Sequence, residues 1–224
     1  ASIAAPGILR GQGRFPQKPI EILVGFAAGG GTDATARTFA RFFEREIGGT
    51  VIVVNRPGAG GEIALTAIAR ANADAHLIGM TNMPSLITMP IERQTQFKLD
   101  DFHLIANLVA DPSAFSVVAD SPVRDIADLI TRARAQPGAI SFGTSGPGTD
   151  EHLAMAFFEQ ETGTSFNHVH YRGAGPMATD LIGKHIDMGG LNIGEAMPHG
   201  ERLRILVQRH VAAAEHDAAI GGLT

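Results

Sequence analysis

The sequence predicts an α/β protein made of two units, each with a mostly parallel sheet flanked by helices. One observation is the alternation of short apolar, β-branched runs with amphipathic helical patterns, which begins at residue 20. Another is a strand pattern that runs into a glycine-rich loop and then a helix with an acidic first turn, which occurs more than once. Because parallel strands need crossover connections, this alternation indicates right-handed βαβ units.

In the first unit, the residues from Ile20 to Phe26 are apolar apart from Glu21 and precede a loop, AAGGGT, with a helix opening at Asp33. Between Thr35 and Ile47 apolar side chains recur every three or four residues, as in a helix that lies on a sheet. Gly48-Gly49 ends this helix. Further elements are predicted at 51–54 (strand), 62–71 (helix) and 77–80 (strand).

The second unit begins after Asp100-Asp101, where the pattern of the sequence changes. Its predicted strands are 104–109, 114–119, 139–143, 168–171, 186–191 and 203–207, and its predicted helices are 126–135, 150–161, 177–183 and 195–199. We therefore place lobe 1 at 14–102 and lobe 2 at 103–208. Residues 1–13 are interpreted as a signal remnant or an N-terminal tail, and 209–224 stay unassigned.

Composition excludes several functions. The 224 residues are 44% hydrophobic with a mean hydropathy of +0.08, which predicts a substantial core. A net charge of −5 gives no electrostatic footprint for nucleic acid or an anionic membrane. The absence of cysteine excludes thiol catalysis and disulfides. No apolar run approaches the ~18 residues of a membrane span.

The strand-to-helix loops carry the predicted chemistry. Glycines let the backbone approach a ligand closely, and the first turn of a helix offers unpaired N–H groups with a partial positive charge. Such a junction suits a carboxylate or a phosphate. The loops 27–32 and 144–149 therefore predict two half-sites that close on one small anion.

The first loop also permits a different interpretation. Residues Gly29–Ala34 include G-x-G-x-x-A, a variant of the dinucleotide-binding fingerprint. Arg56, after the second strand, could accept the 2′-phosphate of NADP, which makes an NADP-dependent oxidoreductase the alternative function. No catalytic set follows, since Tyr171 has Gly175 rather than lysine four residues on. A purely structural tight turn is the third interpretation.

Other motifs favour enzymes or metals only weakly. Ser145 and His152 resemble part of a nucleophile loop, but Pro147 stands where G-x-S-x-G needs its second glycine. His168 and His170 share one strand face, as metal ligands do, yet no third ligand is clearly placed. Arg172 begins a third strand-to-helix loop and could pair with a ligand carboxylate, or be a solvated turn residue.

Four collinear segments, at 15–37, 51–74, 140–163 and 168–188, resemble the Bug-type extracytoplasmic solute receptors, the substrate-binding proteins of tripartite tricarboxylate transporters. The resemblance covers about residues 15–208. It implies a periplasmic binding protein fold with two α/β lobes and a ligand cleft between them. It also implies no catalysis, no cofactor and no metal.

The resemblance further implies a small carboxylate ligand, such as a di- or tricarboxylate, an acidic amino acid or an aromatic acid. A monomer in the periplasm, secreted after signal cleavage, would deliver it to membrane components of the transporter, or would serve in sensing. The expected ligand-binding residues, which supply backbone N–H groups and polar side chains, are Phe26, Ala28, Gly30, Gly31, Thr32, Asp33, Thr81, Asn82, Ser85, Thr144, Ser145, Gly148, Thr149, His152, Arg172, Gly173, Ala174 and Asn192.

Three features depart from the family pattern. The C-terminal stretch that returns to lobe 1 in relatives is missing or replaced after about Gln208. Asp74-Ala75-His76 stands where many relatives read Asp-Gly-Tyr. The 81–85 loop carries a bulkier Met83-Pro84, and we expect both of these changes to reshape ligand preference.

Overall fold

A computed structural model describes residues 15–72 and 74–208 of the chain. The interpretations of residues 1–13 and 209–224 lie outside these residues. Within the described part, no helix combines the length and the apolar character that crossing a membrane would need.

Lobe 1 contains a three-stranded parallel sheet in the order β2-β1-β3. Ile20 pairs with Val51 on one side of the central strand, and Glu21 pairs with Leu77 on the other. Because β1 has a neighbour on each edge and helices on its faces, Ile20, Ile22 and Val24 are fully buried. The elements are β1 (Ile20–Val24), α1 (Gly31–Ile47), β2 (Val51–Asn55), α2 (Glu62–Ala69), β3 (Leu77–Met80) and α3 (Ser85–Glu92), with 3-10 turns at Ala59–Gly61 and Leu99–Asp101.

Lobe 2 contains a five-stranded mixed sheet in the order β6-β5-β7-β4-β8. Strand β5 runs parallel to both β6 and β7, whereas β4 runs antiparallel to both β7 and β8. The elements are β4 (Ser113–Val118), α4 (Ile126–Ala135), β5 (Ser141–Thr144), α5 (Asp150–Thr162), β6 (Asn167–His170), α6 (Ala174–Ile182), β7 (Met188–Asn192), α7 (Ile193–Ala196) and β8 (Leu203–Gln208), with a 3-10 segment at Met197–Arg202.

Each lobe has its own core. Helix α1 turns Ala36 and Ala40 toward the buried strands of lobe 1 and ends at Gly48, whose φ of 60° is left-handed. In lobe 2, the Phe142 and Phe115 rings meet edge to face with their centroids 5.3 Å apart, beside Met155 and Met188. The two-lobe α/β architecture expected from the sequence is therefore confirmed.

Several predicted elements differ from those observed. Residues 104–109 form no strand: Leu104 and Ile105 are exposed, and no strand among residues 15–72 and 74–208 pairs with them. Helix α3, which was not predicted, forms despite Pro90 inside it. Helix α1 begins at Gly31 rather than Asp33, and α6 begins at Ala174 rather than Met177, so both helix starts lie inside the glycine-rich loops.

The lobes touch through glycine-rich backbone. A Cβ on Gly146 would lie 2.9 Å from Cα of Gly60, and a Cβ on Gly173 would lie 2.9 Å from the amide nitrogen of Ala27. Both glycines also have positive φ, 145° and 139°, which other residues rarely adopt. The Ala27 amide donates to the Arg172 carbonyl across this seam at 2.8 Å. The lobes are thus closed on each other.

Candidate functional site in the cleft between the lobes

A small cleft lies between the lobes where their strand-to-helix loops meet. Its free volume of about 10 Å³ has room for about one water molecule. Both lobes contribute to its lining: Phe26, Gly30, Gly31, Thr32 and Asn82 from lobe 1, and Ser145, Asp150, Glu151, Ala174, Asn192 and Glu195 from lobe 2. The loops predicted to form two half-sites therefore face one another.

On the lobe 1 side, the cleft is formed by the start of α1. Gly30 is the extended residue before the helix, so the first N–H groups of α1 point toward the opposite lobe. The Thr32 hydroxyl donates to the side-chain oxygen of Asn82 at 3.0 Å, which connects the α1 start to the loop after β3. Residues of two predicted loops are thereby brought together.

Asp33 lies outside the cleft lining and serves the fold of lobe 1. Its carboxylate accepts hydrogen bonds from the Gly29 amide at 3.0 Å, Arg37 Nε at 3.0 Å and Asn55 Nδ2 at 2.9 Å. Burial disfavours its ionised form, but the bonds from Arg37, Gly29 and Asn55 outweigh this and lower the pKa of Asp33. The carboxylate ties the first loop to α1 and to β2.

On the lobe 2 side, the donors of the second loop are already engaged by Glu151, a buried residue of α5. Its Oε1 accepts from the Ser145 amide at 2.6 Å, from the Ser145 hydroxyl and from the Thr149 hydroxyl at 2.9 Å. Sequence analysis missed Glu151, although its place in the first turn of α5 was a signal. An anion reaching this loop meets a carboxylate rather than open N–H groups.

Glu195, also missed, crosses the cleft. Its Oε2 accepts from the Asn192 amide at 3.0 Å within lobe 2, and its Oε1 accepts from the Gly31 amide of lobe 1 at 2.9 Å. The Gly31 and Ser145 amides, which were expected to be free for a ligand, are therefore occupied in this closed conformation. The chain's own carboxylates occupy one donor at the α1 start and several in the second loop.

The acidic side chains of the cleft are hard to ionise together. Burial raises the pKa of Glu195 to about 7, and the nearby charge of Glu151 adds to the effect. Burial also raises the pKa of Asp150, with a further contribution from the adjacent Glu151. Because each raised pKa favours the neutral form, the closed cleft binds protons that the unfolded chain would release near neutral pH.

The remaining predicted site residues lie around the cleft rather than in its lining. Ala28 and Arg172 are exposed, Thr81 is half-buried, and Gly173 lies at the seam with Ala27. The Gly148 carbonyl accepts from the Ser85 hydroxyl at 3.2 Å, which is a contact between the lobes. The Thr144 hydroxyl lies 2.7 Å from His170 Nδ1, and the Thr149 hydroxyl, which also faces Glu151, lies 2.7 Å from the Gly146 carbonyl oxygen.

His152 does not pair with Ser145. Its Nδ1 accepts from the Gly148 amide at 3.0 Å, so the geometry of a serine nucleophile with a histidine base is absent from this pair. The His152 ring packs edge-on against His170 and His168, at centroid distances of 4.9 and 5.3 Å. Within residues 15–72 and 74–208, no group of three potential ligands has the geometry to hold a metal ion.

Two amide side chains leave donors available in the cleft. The Asn82 side-chain oxygen accepts from the Thr32 hydroxyl, and the Asn192 backbone amide donates to the Glu195 carboxylate. Their amide nitrogens donate to no group among the described residues, and the two residues belong to opposite lobes. These donors are suited to a ligand oxygen that bridges the lobes.

Comparison with known proteins identifies relatives of this arrangement. Residues 35–210 match the family described as tripartite tricarboxylate transporter family receptor. A protein from Pseudomonas sp. (strain P51), the UPF0065 protein in the tcbD-tcbE intergenic region, is 37% identical over 78% of this chain and 52% of its own length. The chain thus spans about half the length of such curated relatives.

Solved structures share the fold. Rpa4515 of R. palustris, solved with adipate, is 27% identical with a TM-score of 0.79 over 87% of this chain and 66% of its own. The periplasmic binding protein BugD is 26% identical with a TM-score of 0.78 over 92% of this chain and 72% of its own. The similarity includes both lobes.

Asp33 should act on stability. We expect Asp33→Ala to lower the free energy of unfolding by about 2 kcal/mol, because the hydrogen bonds to its charged carboxylate are lost. Urea unfolding followed by circular dichroism measures this, since the chain has no tryptophan. Glu46→Ala, at an exposed position of the same helix, is the matched control and should change stability by less than about 0.5 kcal/mol. Equal effects of the two variants would contradict the structural role.

The contribution of Glu195 to stability should fall as pH rises. The pKa of Glu195 is raised from 4.5 to about 7 by folding, so the native state binds more protons than the unfolded chain between these values. The contribution of Glu195 to the free energy of unfolding is fully present below pH 4.5 and is lost as the pH rises through 7. This loss amounts to about 2 kcal/mol after allowance for partial exposure of the side chain. Urea midpoints at pH 5 and pH 8 test this. Glu195→Gln should flatten the dependence, and an unchanged slope would refute the assignment.

Proposed function

We propose, on the premise that this chain belongs to the tripartite tricarboxylate transporter family receptors, that it captures a small carboxylate between its two lobes. The family consists of solute-binding receptors, which are not enzymes. Membership of this family therefore argues against the alternative function, an NADP-dependent oxidoreductase with a dinucleotide site at Gly29–Ala34 and Arg56. The observation that carries the proposal is the meeting of the α1 start with the loops of lobe 2 in one cleft.

A carboxylate suits this cleft for several physical reasons. The α1 start supplies N–H groups and the positive end of a helix dipole, worth about 0.3–1 kcal/mol when exposed and up to ~2 when partly buried. The amide nitrogens of Asn82 and Asn192 can reach a ligand from opposite lobes. The structural relative Rpa4515, which was solved with adipate, supports the same ligand class.

Binding requires the lobes to part, because a volume of about 10 Å³ cannot hold a dicarboxylate. A ligand that contacts both lobes then favours the closed state over the open one through its differential affinity. We place the protein in the periplasm as a monomer, where membrane components of a transporter, or a sensing partner, would recognise the closed form.

A titration tests the ligand class and the two-lobe contact together. We expect adipate or malate to bind with a dissociation constant of about 1 μM in calorimetry, equivalent to about −8 kcal/mol. Asn82→Asp and Asn192→Asp should each weaken binding by about tenfold or more. Each substitution keeps the side-chain size but removes the free N–H donors and adds a repelling charge.

Asn167→Asp, at an exposed position on β6, introduces the same charge away from the cleft and should bind like the parent chain. Equal affinity in all four proteins would contradict binding in the cleft. Weakening by only one of the cleft variants would contradict a ligand held from both lobes. Failure of every small carboxylate tested would refute the proposed ligand class.

A further inference from the structure

We infer that Glu195 is an internal latch, a carboxylate of lobe 2 that closes the cleft in place of a ligand and competes with the ligand for the Gly31 amide of lobe 1. The claim that Glu195 competes with a ligand rests on the proposed function, whereas the claim that Glu195 closes the cleft does not. Among the described residues, Glu195 is the only charged side chain that hydrogen-bonds from one lobe to the other.

The position of Glu195 is set by α7. Glu195 caps the start of this short helix, because its Oε2 accepts from the backbone amide of Asn192 at 3.0 Å. This cap needs only one carboxylate oxygen. The other oxygen, Oε1, is left to project across the cleft to Gly31.

The opposite wall accommodates Glu195 closely. A Cβ added at Gly31 would lie 2.7 Å from Oε1 and 2.8 Å from Cγ of Glu195, so only glycine leaves room for this approach. Gly31 is the first residue of the 17-residue helix α1, whose N–H groups and dipole favour an anion at this point. Glu195 thus occupies the position that suits a ligand carboxylate.

Two consequences follow from this geometry. Without ligand, the bond from Gly31 to Glu195 adds to the hydroxyl contacts of Ser85 and Thr88 with the Gly148 carbonyl and favours closure. With ligand, an incoming carboxylate has to displace Glu195 from the Gly31 amide and overcome the repulsion of its charge. The latch therefore lowers affinity and selects ligands that offer more than one carboxylate contact.

Closure is tested without any ligand. Because the chain has no cysteine, Arg41→Cys on α1 and Gln136→Cys at the end of α4 provide two unique, exposed sites for nitroxide labels on different lobes. Pulsed dipolar spectroscopy should give one distance population for the labelled parent. Adding Glu195→Ala should create a second, distinct population from the open form.

A matched control removes a comparable bond within one lobe. Glu44 accepts from the Val51 amide at 2.9 Å, and both residues belong to lobe 1. Glu44→Ala should leave the distance distribution of the parent unchanged. If Glu195→Ala also leaves it unchanged, the latch is refuted and Glu195 is only a cap of α7.

Competition is tested with adipate at pH 8, above the pKa of about 7 of Glu195, so that this carboxylate is ionised. We expect Glu195→Ala to bind adipate about tenfold more tightly than the parent, since a charged competitor for a hydrogen bond is removed. Glu195→Gln, which keeps the side-chain shape if Glu195→Ala folds poorly, should show the same direction. Unchanged or weaker binding by both variants would overturn the competition and indicate that Glu195 assists the ligand.

The outcomes separate the two proposals. A parent and variants that all fail to bind small carboxylates, but differ in the lobe distance, would refute the ligand class and retain the closing role of Glu195. Normal adipate binding by the parent, with neither affinity nor distance altered by Glu195→Ala, would retain the receptor function and refute the latch.

Discussion

The closed form of this protein depends on backbone amides at helix starts, which donate hydrogen bonds to buried carboxylates. The cleft between the lobes has room for about one water molecule. Glu195 accepts from the Gly31 amide across the cleft, and Glu151 accepts from the Ser145 amide on the lobe 2 side. Asp33, which lies outside the cleft lining, accepts from the Gly29 amide within lobe 1. An unpaired carboxylate in such a place would lose its hydration without compensation. Each acid is therefore tied to the first turn or the preceding loop of a helix, and these ties position both walls of the cleft.

Glycine is the second requirement of this arrangement. The lobes approach each other backbone to backbone, and a side chain at Gly146 or Gly173 would collide with the opposite lobe. The glycines that let a ligand come near the first N–H groups are also those that let the two lobes come near each other. A receptor that closes on a small solute needs both properties, since the closed seam excludes water from the bound charge.

Much of the fold was predictable from local patterns. The order of strands and helices in lobe 1 followed from apolar runs and from periodicity between Thr35 and Ile47, and the α1 start was correctly associated with the glycine-rich loop. Prediction failed at 104–109, where an apolar run has no strand partner, and at α3, where Pro84 and Pro90 obscured a helix. Both errors reflect tertiary contacts that a single segment does not reveal.

The site was less predictable than the fold. Loop chemistry indicated Gly31, Thr32 and Ser145, and the resemblance to solute receptors implied Asn82 and Asn192. All five residues line one cleft in the structure. Loop chemistry could not show that the Asp33 carboxylate accepts hydrogen bonds from Arg37 and Asn55 instead of facing a ligand. The spacing of four residues between Asp33 and Arg37 was a signal of their ion pair. Glu195 escaped notice altogether, because its partner Gly31 is 164 residues away in the sequence.

The relation to receptors of the tripartite tricarboxylate transporter family turns this geometry into a functional account. Nitrogen–proton correlation spectra of the labelled chain, recorded during an adipate titration, test that account most directly. The account predicts saturable shifts of the Gly31 and Ser145 backbone amides and of the Asn82 and Asn192 side-chain amides, with one common dissociation constant. Shifts confined to one lobe, or no saturable shifts at these groups, would contradict a carboxylate held between the lobes.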